Sequence, residues 1–162
     1  MENNFAFIDG QNLYFELKKE KLELNYEKFR KYLKDKYKIS VAYLFLGYLE
    51  YKEDLYVFLK NCGYNLIFKE NVFVGNRKIK GNIDAELTLQ IKIDFDVFDK
   101  CIIVSGDGDF YCWIKYLIGN NKLKTIISPR RESCSKSIKK IVSGNVVFLN
   151  DKSNAFIKKF MK

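Results

Sequence analysis

A chain of 162 residues with 29 Lys plus Arg against 20 Asp plus Glu carries a net charge of +9, and it contains no histidine. That absence removes Ser-His-Asp and Cys-His nucleophile activation, paired-histidine acid–base chemistry and histidine-ligated zinc. Any catalysis must then rest on carboxylates.

The length suits a single domain, 1–162, burying roughly 70% of its unfolded surface. A hydrophobic fraction of 48%, with 14 Phe and 11 Tyr, points to a folded protein. Cys62, Cys101, Cys112 and Cys134 form no C-x-x-C pair and read as reduced, structural side chains. Met-Glu-Asn-Asn precedes Phe5, so no signal peptide is expected, and no apolar run reaches the ~18 residues of a membrane span. The expected location is the cytoplasm, with no membrane partner. A surplus of basic charge suits a polyanionic partner.

In chain order, residues 5–8 read as a buried strand ending at Asp9-Gly10. Residues 11–19 and 25–37 read as helices. Leu22 and Leu24 are grouped with the second helix's apolar face, behind Asn25 as N-cap. Strand 39–46, helix 51–62 stopped by Gly63, and strand 64–68 follow. Residues 69–81 form an exposed excursion closed by a turn. A helix runs from Asn82, its N-cap, to about 95, with Asp84 and Glu86 in its first turn. Then come strand 101–104, helix 110–119, strand 123–127, helix 133–141, strand 146–149 and a C-terminal helix from Ser153. This alternation predicts an α/β fold: a three-layer α/β/α sandwich with a mostly parallel central sheet.

In such sheets ligands bind beyond the strands' carboxyl ends. Two strands end in acid there, one at Asp9 and the other at Asp107 and Asp109. Converging carboxylates need a cation or a proton, and an oxygen-only donor set selects Mg2+ or Mn2+. Asp84 and Glu86 can close the ring. Gly10, Gly106 and Gly108 are expected to supply turn flexibility. Tyr111 stands where a dinucleotide-binding fingerprint needs its third glycine, and no P-loop is present.

Phe7-Ile-Asp-Gly-Gln-Asn-Leu13, Lys80-Gly-Asn-Ile-Asp84 and Val104-Ser-Gly-Asp-Gly-Asp-Phe110, in this order and spacing, resemble the NYN-domain family of PIN-like nucleases. The resemblance implies a PIN-like fold and a metal-dependent ribonuclease with Mg2+ or Mn2+ as cofactor and RNA as partner. By position, Asp9, Asp84, Asp107 and Asp109 match its acids. Asn12 matches the asparagine that helps organise the first, although as a residue it also reads as an N-cap. Asp9, Asp84 and Asp107 would hold metal, with Asp109 orienting water or completing a second site. One departure is Gln90, where many members carry a further aspartate; Glu86 is its candidate substitute. The alternative function is a catalytically weakened RNA-binding or regulatory module.

RNA would be held by Arg77, Lys78 and Lys80 before Asp84, and by Arg130, Arg131, Lys136, Lys139 and Lys140 after strand 123–127. Tyr111 and Trp113 are candidates for base stacking or for packing. A homodimer is kept beside the monomer as an expected assembly. Without histidine, the pH–rate profile should lack an imidazole-like limb near pH 6.5.

Overall fold

Strand β1 (Asn4–Asp9) is buried along its whole length. Its side chains alternate between two cores: Ala6 and Ile8 enter one, Phe5 and Phe7 the other. That is the signature of a strand covered on both faces. The computed structural model describes residues 1–69, 72–79, 83–151 and 155–159.

From β1 the chain runs through α1 (Gly10–Lys19), β2 (Leu22–Leu24), α2 (Tyr26–Tyr37), β3 (Ile39–Gly47), α3 (Glu53–Asn61) and β4 (Asn65–Lys69). A short hairpin of β5 (Val72–Val74) and β6 (Arg77–Ile79) precedes α4 (Ile83–Ile93). Then follow β7 (Cys101–Val104), α5 (Tyr111–Gly119), β8 (Leu123–Ser128), α6 (Lys136–Ile141), β9 (Val146–Phe148) and β10 (Ile157–Lys159). The main sheet has the order β4-β3-β1-β7-β8-β9, and every neighbouring pair is parallel. Leu13, Phe29 and Leu59 bring α1, α2 and α3 onto one face. Leu87, Ile114 and Ile138 bring α4, α5 and α6 onto the other. The three-layer sandwich is as the alternation predicts.

The strand order places a topological switch beside β1. The chain builds outward through β3 and β4, then returns to lay β7 on the opposite side of β1. The helices after β1 and β7 lie on opposite faces, which opens a crevice at the carboxyl ends of these two strands.

Two predicted elements are corrected. Leu22 and Leu24 belong to a strand, not to the helix that follows, and the C-terminal segment adds β10 antiparallel to it, pairing Ile157 with Leu24. The reason is Phe156, which is buried against Phe29 and Tyr32 with ring centroids 5.3 and 4.8 Å away. Burying such a ring contributes about 1.5–3 kcal/mol, whereas a helix of two turns is marginal on its own. The predicted N-cap of α4, Asn82, lies outside the described residues.

Candidate metal centre

Asp9 ends β1 and caps α1, its Oδ1 accepting the backbone N–H of Asn12 at 3.0 Å. The cap is therefore Asp9 rather than Asn12. The Asn12 side chain crosses instead to the loop after β7, where its Oδ1 accepts the Gly106 N–H at 3.2 Å. Ser105 completes the tie between the two strand ends: its Oγ accepts the Asp107 N–H at 3.2 Å and donates to Asp9 Oδ2 at 3.5 Å. Asp107 in turn caps the short 3-10 turn Gly108–Phe110, its Oδ1 accepting the Asp109 N–H at 2.9 Å.

Glycine is required here by proximity, not by turn flexibility. None of Gly10, Gly106 and Gly108 has a positive φ. A Cβ on Gly106 would stand 2.5 Å from Ser128 Oγ and 3.2 Å from the Cys134 backbone, and one on Gly10 would stand 2.6 Å from the Phe45 carbonyl oxygen.

On the other side of the crevice, α4 packs Ile83, Leu87 and Ile91 into the core that holds Phe7 and Phe45. This sets Asp84, in its first turn, beside the loop after β7. Asp84, Asp107 and Asp109 each present a carboxylate oxygen within 4.8 Å of the others. Burial, reinforced by Asp107, Asp9 and Asp109, pushes the Asp84 carboxyl up to about 6. Burial also raises Asp9, and the charge of Asp107 adds to that, against the hydrogen bonds from the α1 backbone. Four carboxyl groups thus share one electrostatic site. The three-acid group contains only oxygen donors, and its crowded charge favours a cation; both properties fit a hard divalent ion such as Mg2+ or Mn2+.

Other predicted residues fall outside that group. Neither Asp9, expected as a metal holder, nor Glu86 joins the three acids; the Asp9 carboxylate is taken up by the Asn12 N–H and Ser105 Oγ. Gln90 points elsewhere, donating to Asp94 Oδ2 at 2.7 Å and to the Tyr43 hydroxyl at 3.4 Å. Arg130 is engaged by carboxylates: Nε reaches Glu20 at 2.8 Å and Nη1 reaches Glu16 at 3.3 Å, with the side chain only 17% exposed. It closes the loop after β8 onto α1 rather than presenting charge to solvent. Arg131 pairs with Asp151 at 2.9 Å and lies 4.2 Å from the Phe148 ring centroid. Lys139 donates to the Arg131 carbonyl at 2.8 Å. Lys136 and Lys140 form no ion pair among the described residues. Arg77 is exposed on β6, Lys78 lies on the same strand, and Lys80 lies outside the described residues. Trp113 packs at the core's edge, its ring 5.7 Å from Tyr116, and Tyr111 is half-buried. Sequence reasoning misses the contribution of Ser105, although its place ahead of Gly-Asp-Gly-Asp is the available signal.

The raised Asp84 carboxyl gives the metal-free protein a group that titrates near 6 without histidine. A folded-state value above the unfolded one means that the native state binds the proton more tightly, so stability rises as pH falls from about 7 towards 4. Above pH 7 the full penalty is present. Its ceiling is about 3 kcal/mol, and solvent screening of this half-exposed group reduces it to about 1 kcal/mol. Asp84→Asn is accordingly expected to raise the melting temperature in EDTA at pH 7.5 by about 2–4 °C. The gain should vanish at pH 4. Equal melting temperatures of variant and parent at both pH values would contradict the crowded-carboxylate account.

Three comparisons bear on this arrangement. A search of curated protein sequences finds no match. A crystal structure of a Vibrio parahaemolyticus protein of unknown function has a similar fold: TM-score 0.78, 21% identity, covering 93% of this chain and 94% of that one. Residues 5–149 match the NYN domain. That span begins in β1, ends just after β9 and includes Asp9 and the three clustered aspartates, so the chain belongs to the NYN-domain family, whose fold is that of the PIN-like nucleases.

Proposed function

We propose that this NYN domain hydrolyses RNA phosphodiester bonds with a divalent metal, Mg2+ or Mn2+, at the Asp84–Asp107–Asp109 group. The observation that carries the proposal is the convergence of those three carboxylates within 4.8 Å at the β1–β7 switch point. Membership of a family that is generally nucleolytic supports it.

Asp84, Asp107 and Asp109 would hold the ion. When bound, it supplies Lewis acidity and charge neutralisation at a phosphodiester. Asp9, fixed by the α1 N-terminus and Ser105, adds negative potential behind the ligands and keeps the two strand ends in register. With its Oδ1 committed to Gly106, Asn12 retains its amide N–H groups as donors to a phosphate oxygen. Lys136 and Lys140 are exposed on α6, whose N-cap Ser135 donates its backbone N–H to the Gly106 carbonyl at 2.9 Å. Together with Arg77 they supply the cations for the RNA backbone.

The test is cleavage of a labelled single-stranded RNA. Turnover is expected in Mn2+ or Mg2+, none in EDTA, and recovery when metal is restored. Failure of any divalent ion to support turnover would reject the proposal. Gln90 favours a second reading, a module that binds RNA without cutting it, because it brings no charge to the acidic group. Salt-sensitive binding without turnover in any metal would select that reading.

A further inference from the structure

A second concavity opens on the same carboxyl rim, displaced from the acidic group towards β3 and β4. It is a groove of about 550 Å3 lined by α1, β2, α3 and the segment joining β3 to α3, with Gly10 and Lys69 among its lining residues. That volume is typical of small-molecule sites and accommodates a nucleobase with its sugar.

Leucines make up much of the lining, and tyrosines join them with three lysines, Lys18, Lys52 and Lys69, against one carboxylate, Glu23. Tyr14, 45% exposed, lines the groove from α1, and Tyr48, 39% exposed, lines it from just after β3. Tyr48 is held by a 2.9 Å hydrogen bond from its hydroxyl to Glu53. Lys18 and Lys52 reach over the same Tyr14 ring, their Nζ atoms 5.5 and 5.7 Å from its centroid. Neither forms an ion pair with a carboxylate among the described residues. Held only by the face of an aromatic ring, both ammonium groups keep N–H donors for an anion.

We infer that this groove is a base-binding subsite for single-stranded RNA: Tyr14 stacks on one nucleobase, and Lys18 and Lys52 hold an adjoining phosphate, beside the strand's cleavage site. The inference rests on the ribonuclease reading and assigns part of its substrate recognition. Charge complementarity argues for a polyanion, since lysines are depleted from the cores of protein–protein interfaces. Aromatic rings beside cations are the usual equipment for single strands. Continuity adds to this. Gly10 lines the groove and follows Asp9, so a strand crossing the carboxyl rim passes both places.

The experiment measures binding of a fluorescent 12-nucleotide single-stranded RNA to the full chain in EDTA, and its cleavage in Mn2+. Tyr14→Ala is expected to weaken binding about tenfold, whereas Tyr14→Phe, which keeps the ring, should stay within about twofold of the parent. The Lys18→Gln, Lys52→Gln pair should flatten the slope of log affinity against log salt by about 0.7–1.4, as one or two phosphates go without an ammonium partner. A 4-thiouridine in the RNA should crosslink to peptides from α1 or from residues 48–59.

RNA that is cleaved and bound equally well by the parent and Tyr14→Ala, with crosslinks elsewhere, overturns the subsite and leaves the ribonuclease reading standing. A parent that neither binds nor cleaves RNA overturns both. A concentration-dependent dimer lost in Tyr14→Ala, with RNA affinity unchanged, would assign the groove to a second copy of the chain.

Discussion

Asp107→Asn is expected to lower Mn2+-supported RNA cleavage by at least about a hundredfold, the upper range for losing even an indirect partner of a metal. Asp107 is the electrostatic centre of the group. Its charge contributes to raising both Asp9 and Asp84, and its carboxylate is one of the three that converge. Asparagine keeps the Oδ1 that accepts the Asp109 N–H, and it is among the best residues for that cap. The substitution therefore removes one charge while leaving the turn in place. Far-UV circular dichroism should be unchanged, and melting in EDTA should be no lower than the parent's, because a like-charge repulsion has been relieved. The stabilisation that Mn2+ gives the parent should shrink as its affinity falls. Parent-like cleavage by this variant would show that the acidic group is not the reaction site. A protein that fails to fold would contradict the argument that Asn preserves the turn, and Asp84→Asn, on a different element, then tests the site independently.

The elements legible in the sequence have strong local signals, and those that are not depend on distant partners. Residues 5–8 and 101–104 are short apolar runs bounded by Asp-Gly and Ser-Gly, and both are central strands. The Asn25 cap is legible because its side chain bonds the Lys28 N–H, three residues on. By contrast, β2 and β10 are three-residue strands that exist only through each other, across more than a hundred residues. Nothing local in Leu22-Glu-Leu24 requires a strand.

The site divides in the same way. Asp84, Asp107 and Asp109 stand out because strand ends and helix starts are where parallel sheets put their chemistry, and the structure brings them together. Arg130 and Lys136 look equivalent in sequence, yet Arg130 meets Glu16 of α1 and Glu20 just after it, whereas Lys136 forms no ion pair among the described residues. No spacing rule reports a pairing between residues 114 apart. The Tyr14–Lys18–Lys52 groove is invisible in the sequence for the same reason: Tyr14 and Lys18 share a helix, but Lys52 arrives from the far side of β3.

Gly10→Ala is expected to cost about 1–3 kcal/mol, a fall in melting temperature of about 2–12 °C for a chain of this size, with cleavage reduced beyond what the loss of folded protein explains. An alanine Cβ at this position would stand 2.6 Å from the Phe45 carbonyl oxygen and 2.5 Å from Leu46 Cδ2. A leucine methyl can rotate away. The carbonyl cannot, since Phe45 lies opposite Asp9 in the β1–β3 ladder at the middle of the sheet. The first turn of α1 must lift instead, and it carries the Asn12 N–H that holds Asp9 and the Asn12 side chain that holds Gly106. One methyl group thereby disturbs both strand ends that frame the acidic group. Gly119→Ala provides the contrast. Its Cβ would meet nothing within 4 Å at the end of α5, so the expected change is neutral to stabilising by up to about 1 kcal/mol. Thermal melts of the two variants in EDTA, followed by cleavage assays at a temperature where both are folded, separate stability from positioning. If Gly10→Ala melts and cleaves like Gly119→Ala, the first turn of α1 is not held against β3 as described, and the placement of Asp9 does not depend on that contact.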